Sequence, residues 1–338
     1  MFDLTPDNVA GYLKRKGIIS ENVPVEATAL GWGISNIVLK VVLPDECMVI
    51  KQSLPKLRVK DEWLFDQSRI IIEHRCMTLM GQLLPPERVP AVRFVDDENF
   101  IFGMSCAPEG GVLWKEALMQ GQVDLRAAAD AGTLLAQWHL SGKDVPEVLE
   151  SFCDNTNFIQ GRVDPYHRTM AKVHPPLAPM IEAEVARMLE ARQTLVHGDY
   201  SPKNLFAYPD YVMTLDLEVA HYGDPAFDTA FCINHLLLKA VKFAEQHEEY
   251  LAAAHEFWNA YQTGAGEKHF PSVEAHTVRE LGCLMMARID GKSKIEYIPD
   301  EPTRDFVRGV AADILFDTKM DVNGVIAMLD ERLTKLQE

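Results

Sequence analysis

The chain has few cysteines and no close pair among them. Cys47, Cys76, Cys106, Cys153, Cys232 and Cys283 are scattered, with no Cys-x-x-Cys. That spacing is poor for zinc and unlike a disulfide framework, so a reducing, cytoplasmic setting is expected. Long hydrophobic runs are missing as well. The most apolar stretch, Ala230 to Val241, is broken by Asn234, His235 and Lys239 and is too short and polar to span a bilayer. The opening residues, Met1-Phe2-Asp3-Leu4-Thr5-Pro6-Asp7, carry no apolar run of the kind a secretory signal needs. Basic charge is in deficit, 33 residues against 50 acidic for a net of −17, which disfavours a nucleic-acid backbone or an anionic membrane as partner. Repeats and low-complexity segments are absent. What remains is ordinary for a globular protein: 338 residues, 47% hydrophobic and 25% charged, enough for one large or two medium domains.

Local pattern changes character near residue 106. Before it, Thr5-Pro6 reads as a helix start, with the threonine as cap and the proline at the first helical position. Residues 24–31, 36–43 and 47–53 are short, β-branched and bounded by Gly or Pro-Asp-Glu, as antiparallel strands are. Residues 61–81 carry a helical apolar pattern that Pro85-Pro86 ends, and strands are expected at 91–96 and 100–105. After Pro108-Glu109-Gly110-Gly111 the chain turns rich in Ala, Leu, Glu and Met. Helices are expected at 124–141, 179–192, 225–262, 273–290, 301–317 and 321–336, with 195–216 alone reading as β. The reading is α+β, with a lobe of residues 1–106 built on a small sheet and one main helix, and a larger, mostly helical lobe of 107–338.

The chemistry concentrates in His197-Gly198-Asp199-Tyr200-Ser201-Pro202-Lys203-Asn204 and in Asp216-Leu217-Glu218. A carboxylate, an amide five residues later and a second acid seventeen residues after the first are the parts phosphoryl transfer from ATP requires. Asp199 can accept a proton from an acceptor hydroxyl. Asn204 and Asp216 offer one neutral and one anionic oxygen, a suitable set for Mg²⁺. Apolar runs lead into both acids, Leu195-Val196 and Val212 to Leu215, so each is expected at a strand end. Lys203 either reaches the γ-phosphate or faces solvent.

His-Gly-Asp-x-x-x-x-Asn followed by Asp-x-Glu resembles the aminoglycoside phosphotransferase and choline kinase superfamily. So do Leu134-Leu135-Ala136-Gln137-Trp138-His139 and Gly223-Asp224-Pro225-Ala226-Phe227-Asp228. The resemblance covers most of the chain and implies a protein-kinase-like bilobal fold, ATP as donor and a small-molecule hydroxyl as acceptor. It implies that Lys51, mid-strand in Met48-Val49-Ile50-Lys51-Gln52, meets the α- and β-phosphates. Glu73, in Arg69-x-x-x-Glu73, would hold that lysine, and Glu218 would assist the metal. Gly31-Trp32-Gly33-Ile34-Ser35-Asn36 would be the loop over the phosphates, where Gly31 and Gly33 let the backbone close in beside Ser35 and Asn36. Met104 and Cys106, in the linker Met104-Ser105-Cys106-Ala107, would present backbone groups to the adenine.

Two segments, Val49 to Pro55 and Glu218 to Gly223, are similar to the 5-methylthioribose kinases. So is Met285 to Ile295, which makes Arg288, Asp290 and Lys292 expected acceptor contacts. There the chain departs from that group, having Ala287 where the first of two arginines stands, and it keeps Asn204 where that group typically has none. His197 and Asp228 are expected to brace the loop, and His247 and His255, eight residues apart on a helix, to be solvated. The competing reading is a nucleotide-binding scaffold without turnover, but Lys51, Asp199, Asn204 and Asp216 are all in place. A protein kinase needs an activation segment after Asp216, and the helix start at Pro225 leaves no room for one.

Overall fold

Thr5 opens the first helix, α1 (Pro6–Arg15), by a reciprocal exchange in which its side chain accepts from the Asn8 backbone and the Asn8 side chain accepts in return. In this computed structural model, residues 2–31, 35–56 and 65–337 are described. The chain divides into two compact units, one of Met1–Gly110 with Leu215–Val219 and one of Gly111–Thr214 with Ala220–Glu338.

In the first unit, strands β1 (Glu26–Ala29), β2 (Asn36–Val42), β3 (Cys47–Ser53), β4 (Val92–Asp96) and β5 (Ile101–Ser105) form one antiparallel sheet in the order β1-β2-β3-β5-β4. Alternation sets its face: Leu39, Val41, Met48 and Ile50 turn inward onto Val9, Tyr12 and Leu13 of α1. Each such side chain contributes about 1.5–3 kcal/mol when fully buried. Helix α2 (Arg69–Leu83) starts later than the apolar pattern over 61–81 suggests, and residues 61–64 of that pattern lie outside the described residues.

One expectation is corrected here. Cys47 and Cys106 are joined in a disulfide across 59 residues of sequence. Spacing along the chain does not reveal it, because the pair is made by register: β3 lies antiparallel to β5 with Met48 opposite Ser105, so the next residue on each strand meets the other. Cys76, Cys153, Cys232 and Cys283 lie outside this bridge.

The second unit is mainly helical: α3 (Trp114–Met119), α4 (Leu125–Gly142), α5 (Pro146–Phe152), α6 (Thr156–Phe158), α7 (Thr169–Val173), α8 (Ala178–Glu190), α9 (Pro225–Lys242), α10 (His247–Gly264), α11 (Gly266–His269), α12 (Val273–Asp290), α13 (Glu301–Phe316) and α14 (Val322–Gln337). Asp124 and Asp224 cap α4 and α9 by accepting from backbone N–H groups one turn in. Helices α4 and α10 pack so closely that a Cβ at Gly132 would stand 2.1 Å from the Phe257 carbonyl oxygen.

Four features differ from the sequence reading. The helix expected over 225–262 is two, parted at Phe243–Gln246, where Phe243 leaves helical geometry at ψ 57°. No Gly or Pro marks the break. Residues Ile159–Arg168 form a wide π-helical stretch containing Pro165. Short strands also lie outside 195–216: β6 (Val112–Leu113) joins β8 (Leu205–Ala207) and β9 (Val212–Thr214), while β10 (His221–Gly223) pairs with β7 (Thr194–Val196). His247, expected in solvent, is buried and lies 3.1 Å from Asp330 of α14, whereas His255 is exposed.

Candidate active site

Lys51 of β3 is buried in the first unit with its Nζ 2.6 Å from Glu73 Oε1 on α2 and 2.9 Å from Asp216 Oδ1. Burial alone would drive off its proton, but Asp216 and Glu73, with Glu218 behind them, hold its pKa above the ordinary lysine value. Glu73 is pushed the other way from an ordinary ion-paired acid. Burial raises its pKa, Lys51 opposes this, and the charges of Asp216 and Glu218 raise it further. Asp216 sits in the left-handed region at φ 65°. Such a conformation costs a non-glycine residue roughly 1–3 kcal/mol and tends to be kept where a side chain must be aimed.

Glu218 is fixed by two donors, Asn36 Nδ2 at 3.0 Å and Arg69 Nε at 3.2 Å. Arg69 is fully buried and uses all five of its N–H groups: Nε on Glu218, Nη1 on the carbonyls of Phe65 and Asp66, and Nη2 on those of Ser35 and Leu54. It thereby ties α2, the end of the 31–36 loop and the Asp-x-Glu segment together. Of that loop, Trp32, Gly33 and Ile34 lie outside the described residues, Gly31 is exposed, and Ser35 and Asn36 are buried. Oxygens of Glu73, Asp216 and Glu218 come within 4.8 Å of one another, and the second oxygen of Glu73 is buried without a hydrogen bond. Three converging carboxylates with an unanswered buried oxygen suit a hard divalent cation.

In the second unit, the chain leaves β7 at Val196 and turns through Gly198, whose φ of 77° suits glycine. Asp228 of α9 accepts from the backbone N–H of His197 at 2.7 Å and of Gly198 at 2.8 Å. His197 bonds through Nε2 to Thr214 at 2.9 Å, and its Nδ1 accepts from the Asp199 N–H at 3.2 Å. Asp199 is thus held by its own loop. Its carboxylate meets Arg162 Nη2 at 2.8 Å, Lys203 Nζ at 2.7 Å and the amide nitrogen of Asn204 at 2.8 Å. Arg162, on the π-helical stretch, also donates to the Gly198 carbonyl at 2.8 Å.

The structure therefore gathers Lys51, Glu73, Asp216, Glu218, Ser35 and Asn36 in the first unit, and Asp199, Lys203 and Asn204 in the second. Met104 lies in β5 opposite Val49, and Cys106 follows it in the disulfide. Arg288 donates to the Tyr166 hydroxyl and to Ser293. Asp290 is taken by Arg308 at 2.7 Å and His174 at 2.8 Å, and Lys292 is exposed. Sequence reasoning passed over Arg69 and Arg162 as functional residues. Arg69 stood inside a quoted pattern as a spacer for Glu73. Arg162 lies where the π-helical turn erases the usual periodicity, so no signal marked it.

A family model described as "Phosphotransferase enzyme family" matches residues 26–266. A methylthioribose kinase of Bacillus cereus (strain B4264) is 25% identical over 276 residues, covering 74% of this chain and 70% of its own. Among solved structures, a choline/ethanolamine kinase family protein from Mesorhizobium loti superposes with a TM-score of 0.54 at 14% identity, covering 96% of this chain and 99% of its own. An amicoumacin kinase in complex with AMP-PNP and Ca²⁺ superposes with a TM-score of 0.52 at 12% identity, covering 97% of this chain and 92% of its own. These likenesses fix an α+β, kinase-like fold.

Proposed function

The chain belongs to the phosphotransferase enzyme family, and from that premise we propose that it is a small-molecule kinase moving the γ-phosphoryl group of ATP to an acceptor hydroxyl. The observation that carries this reading is the Lys51 ammonium clasped by Glu73 and Asp216. A buried lysine so held is a fixed positive charge, ready for the α- and β-phosphates of ATP. Ser35 and Asn36, with Gly31 and Gly33, are assigned to the phosphates, and the backbone of Met104 and Cys106 to the adenine.

Asp216 and Glu218 are assigned to Mg²⁺, with Asn204 as a neutral ligand through its amide oxygen. When bound, the cation supplies charge neutralisation for the phosphates. Asp199 orients the acceptor hydroxyl and takes its proton as the oxygen attacks the γ-phosphorus. A new O–P bond forms, the bond from that phosphorus to the ADP oxygen breaks, and ADP leaves with the electron pair. Lys203 and Arg162, already on the Asp199 carboxylate, keep it aimed and counter its charge. Arg288 is assigned to the acceptor, with Asp290 and Lys292 beside it.

ATP as donor fits a cytoplasmic protein. A small molecule, rather than a nucleic acid or an anionic membrane, fits the net charge of −17. The experiment is Mg²⁺-dependent ADP release against methylthioribose, other sugars, choline, homoserine and aminoglycosides. One or more acceptors should stimulate release well above the rate with ATP alone. A protein that binds no ATP would overturn the reading.

A further inference from the structure

Beyond Arg162 and Lys203, which meet Asp199, the second unit gathers positive charge that no carboxylate among the described residues answers. Helix α9 carries Phe227, Phe231, His235 and Lys239 at intervals of four, so they form one row along it. Lys239 is 1% exposed, yet among the described residues its Nζ donates only to the carbonyl of His235, at 3.1 Å, and lies 5.7 Å over the ring of Tyr297. The His235 ring packs edge-on against Phe231 at 5.2 Å, and Phe231 stacks on Tyr166 at 6.1 Å. Arg288 of α12 donates to the Tyr166 hydroxyl at 3.3 Å. Arg162 lies 5.6 Å over Phe231 and reaches Asp199 at 2.8 Å. Contacts thus run unbroken from Lys239 to the Asp199 carboxylate.

Among the described residues, Lys239, His235 and Arg288 have no carboxylate partner. Three groups register the resulting field. Burial, then Lys115 and Arg288, pull Lys239 down to about 7. His235 is lowered by burial, then by Lys239 and Arg288. Burial would raise the Tyr166 phenol, but Arg288 and Arg162 hold it below its usual value. Buried polar atoms without a hydrogen-bond partner fall in this cluster: Nε of Arg288 and the hydroxyl of Tyr297, the ring that lies against Lys239. Unpaired buried cations and donors are costly to keep, and one oxyanion would answer them together.

We propose that Lys239, Arg288 and the Tyr297 hydroxyl form an oxyanion subsite of the acceptor pocket, so that the acceptor is a hydroxylated molecule bearing a carboxylate or a phosphomonoester. The assignment to an acceptor rests on the kinase reading above; the binding of an oxyanion does not. A cationic acceptor such as an amino alcohol or an amino sugar would meet like charge here.

The test is calorimetric titration of the full-length protein with four compounds on one frame: glycerate, glycerol 3-phosphate, glycerol and 3-aminopropane-1,2-diol. Glycerate or glycerol 3-phosphate should bind at least about tenfold more tightly than the other two, and which one does so identifies the oxyanion. In Lys239→Met, and independently in Tyr297→Phe, that margin should shrink by about tenfold. Lys239→Met removes an unpaired buried charge, so its thermal midpoint should match or exceed that of wild type. Equal affinity for all four compounds, preference for the amine, or an oxyanion preference unchanged in both variants would overturn the subsite. ATP binding and acceptor-stimulated ADP release separate the two readings. An oxyanion bound through Lys239 in a protein that binds no ATP leaves the subsite standing and removes the kinase. ADP release stimulated by a neutral or cationic acceptor, with no oxyanion preference, does the reverse.

Discussion

At the residue scale, the acids that carry the proposed chemistry were legible because their spacing is dictated by it. Asp199, Asn204 and Asp216 stand where one loop and one strand end must deliver them. The residues that hold them were not legible. An arginine saturating five acceptors looks in sequence like any other, and its partners come from 34 positions earlier and 149 later. Arg69→Lys should therefore behave as a severe change despite its conserved charge, since an ammonium offers three donors and no planar fork. Leaving Glu218 and several carbonyls unanswered should lower stability by about 3–5 kcal/mol, read as a shift in urea midpoint. A second residue-scale prediction concerns His167, buried 2.8 Å from Glu280. Burial lowers its pKa, but the charge and hydrogen bond of Glu280, then Glu184 and Glu182, outweigh that and raise it. The unfolded histidine titrates near 6.5, so the stabilisation is complete below about pH 6.5 and is lost as pH rises through the higher folded value. Thermal midpoints should fall from pH 6 toward pH 8, and His167→Gln should flatten that fall. A midpoint that rises over this range would contradict the account.

At the scale of elements, periodicity and punctuation located most helices and strands, because α1, α4, α9 and α13 begin on side-chain caps visible as Thr, Asp or Asp-x-Pro. Elements defined by pairing were harder. The strands β6 and β10 are two and three residues long and exist through their partners, so no run of alternating residues announces them. The Cys47–Cys106 bridge has the same origin, being a consequence of β3–β5 register. It closes a loop of 59 residues, which in the chain-entropy account contributes about 4 kcal/mol. Cys106→Ser, or wild type in excess reductant, should lose stability on that scale. Alkylation and mass spectrometry should find two further reactive thiols only after reduction. Equal melting of oxidised and reduced protein would argue against a stabilising bridge.

For the whole molecule, composition marked a β-rich first part and a helical remainder, but not the return of Leu215–Val219 to the first unit. That return brings Asp216 and Glu218 to Lys51 and Glu73, and it follows from tertiary contact rather than from any local propensity. Three carboxylates drawn together around one lysine repel one another and are relieved by a divalent cation. Mg²⁺ at millimolar concentration should therefore raise the thermal midpoint of wild type by mass action, and Asp216→Asn should abolish the shift. The central claim, however, is that the acid fixed between Arg162, Lys203 and Asn204 is the proton acceptor in phosphoryl transfer. The most direct measurement compares Asp199→Asn with wild type, in ATP affinity and in acceptor-dependent ADP release under saturating ATP and Mg²⁺. The account predicts near-unchanged ATP affinity with turnover reduced by about 10²–10⁴-fold; turnover equal to that of wild type would contradict it.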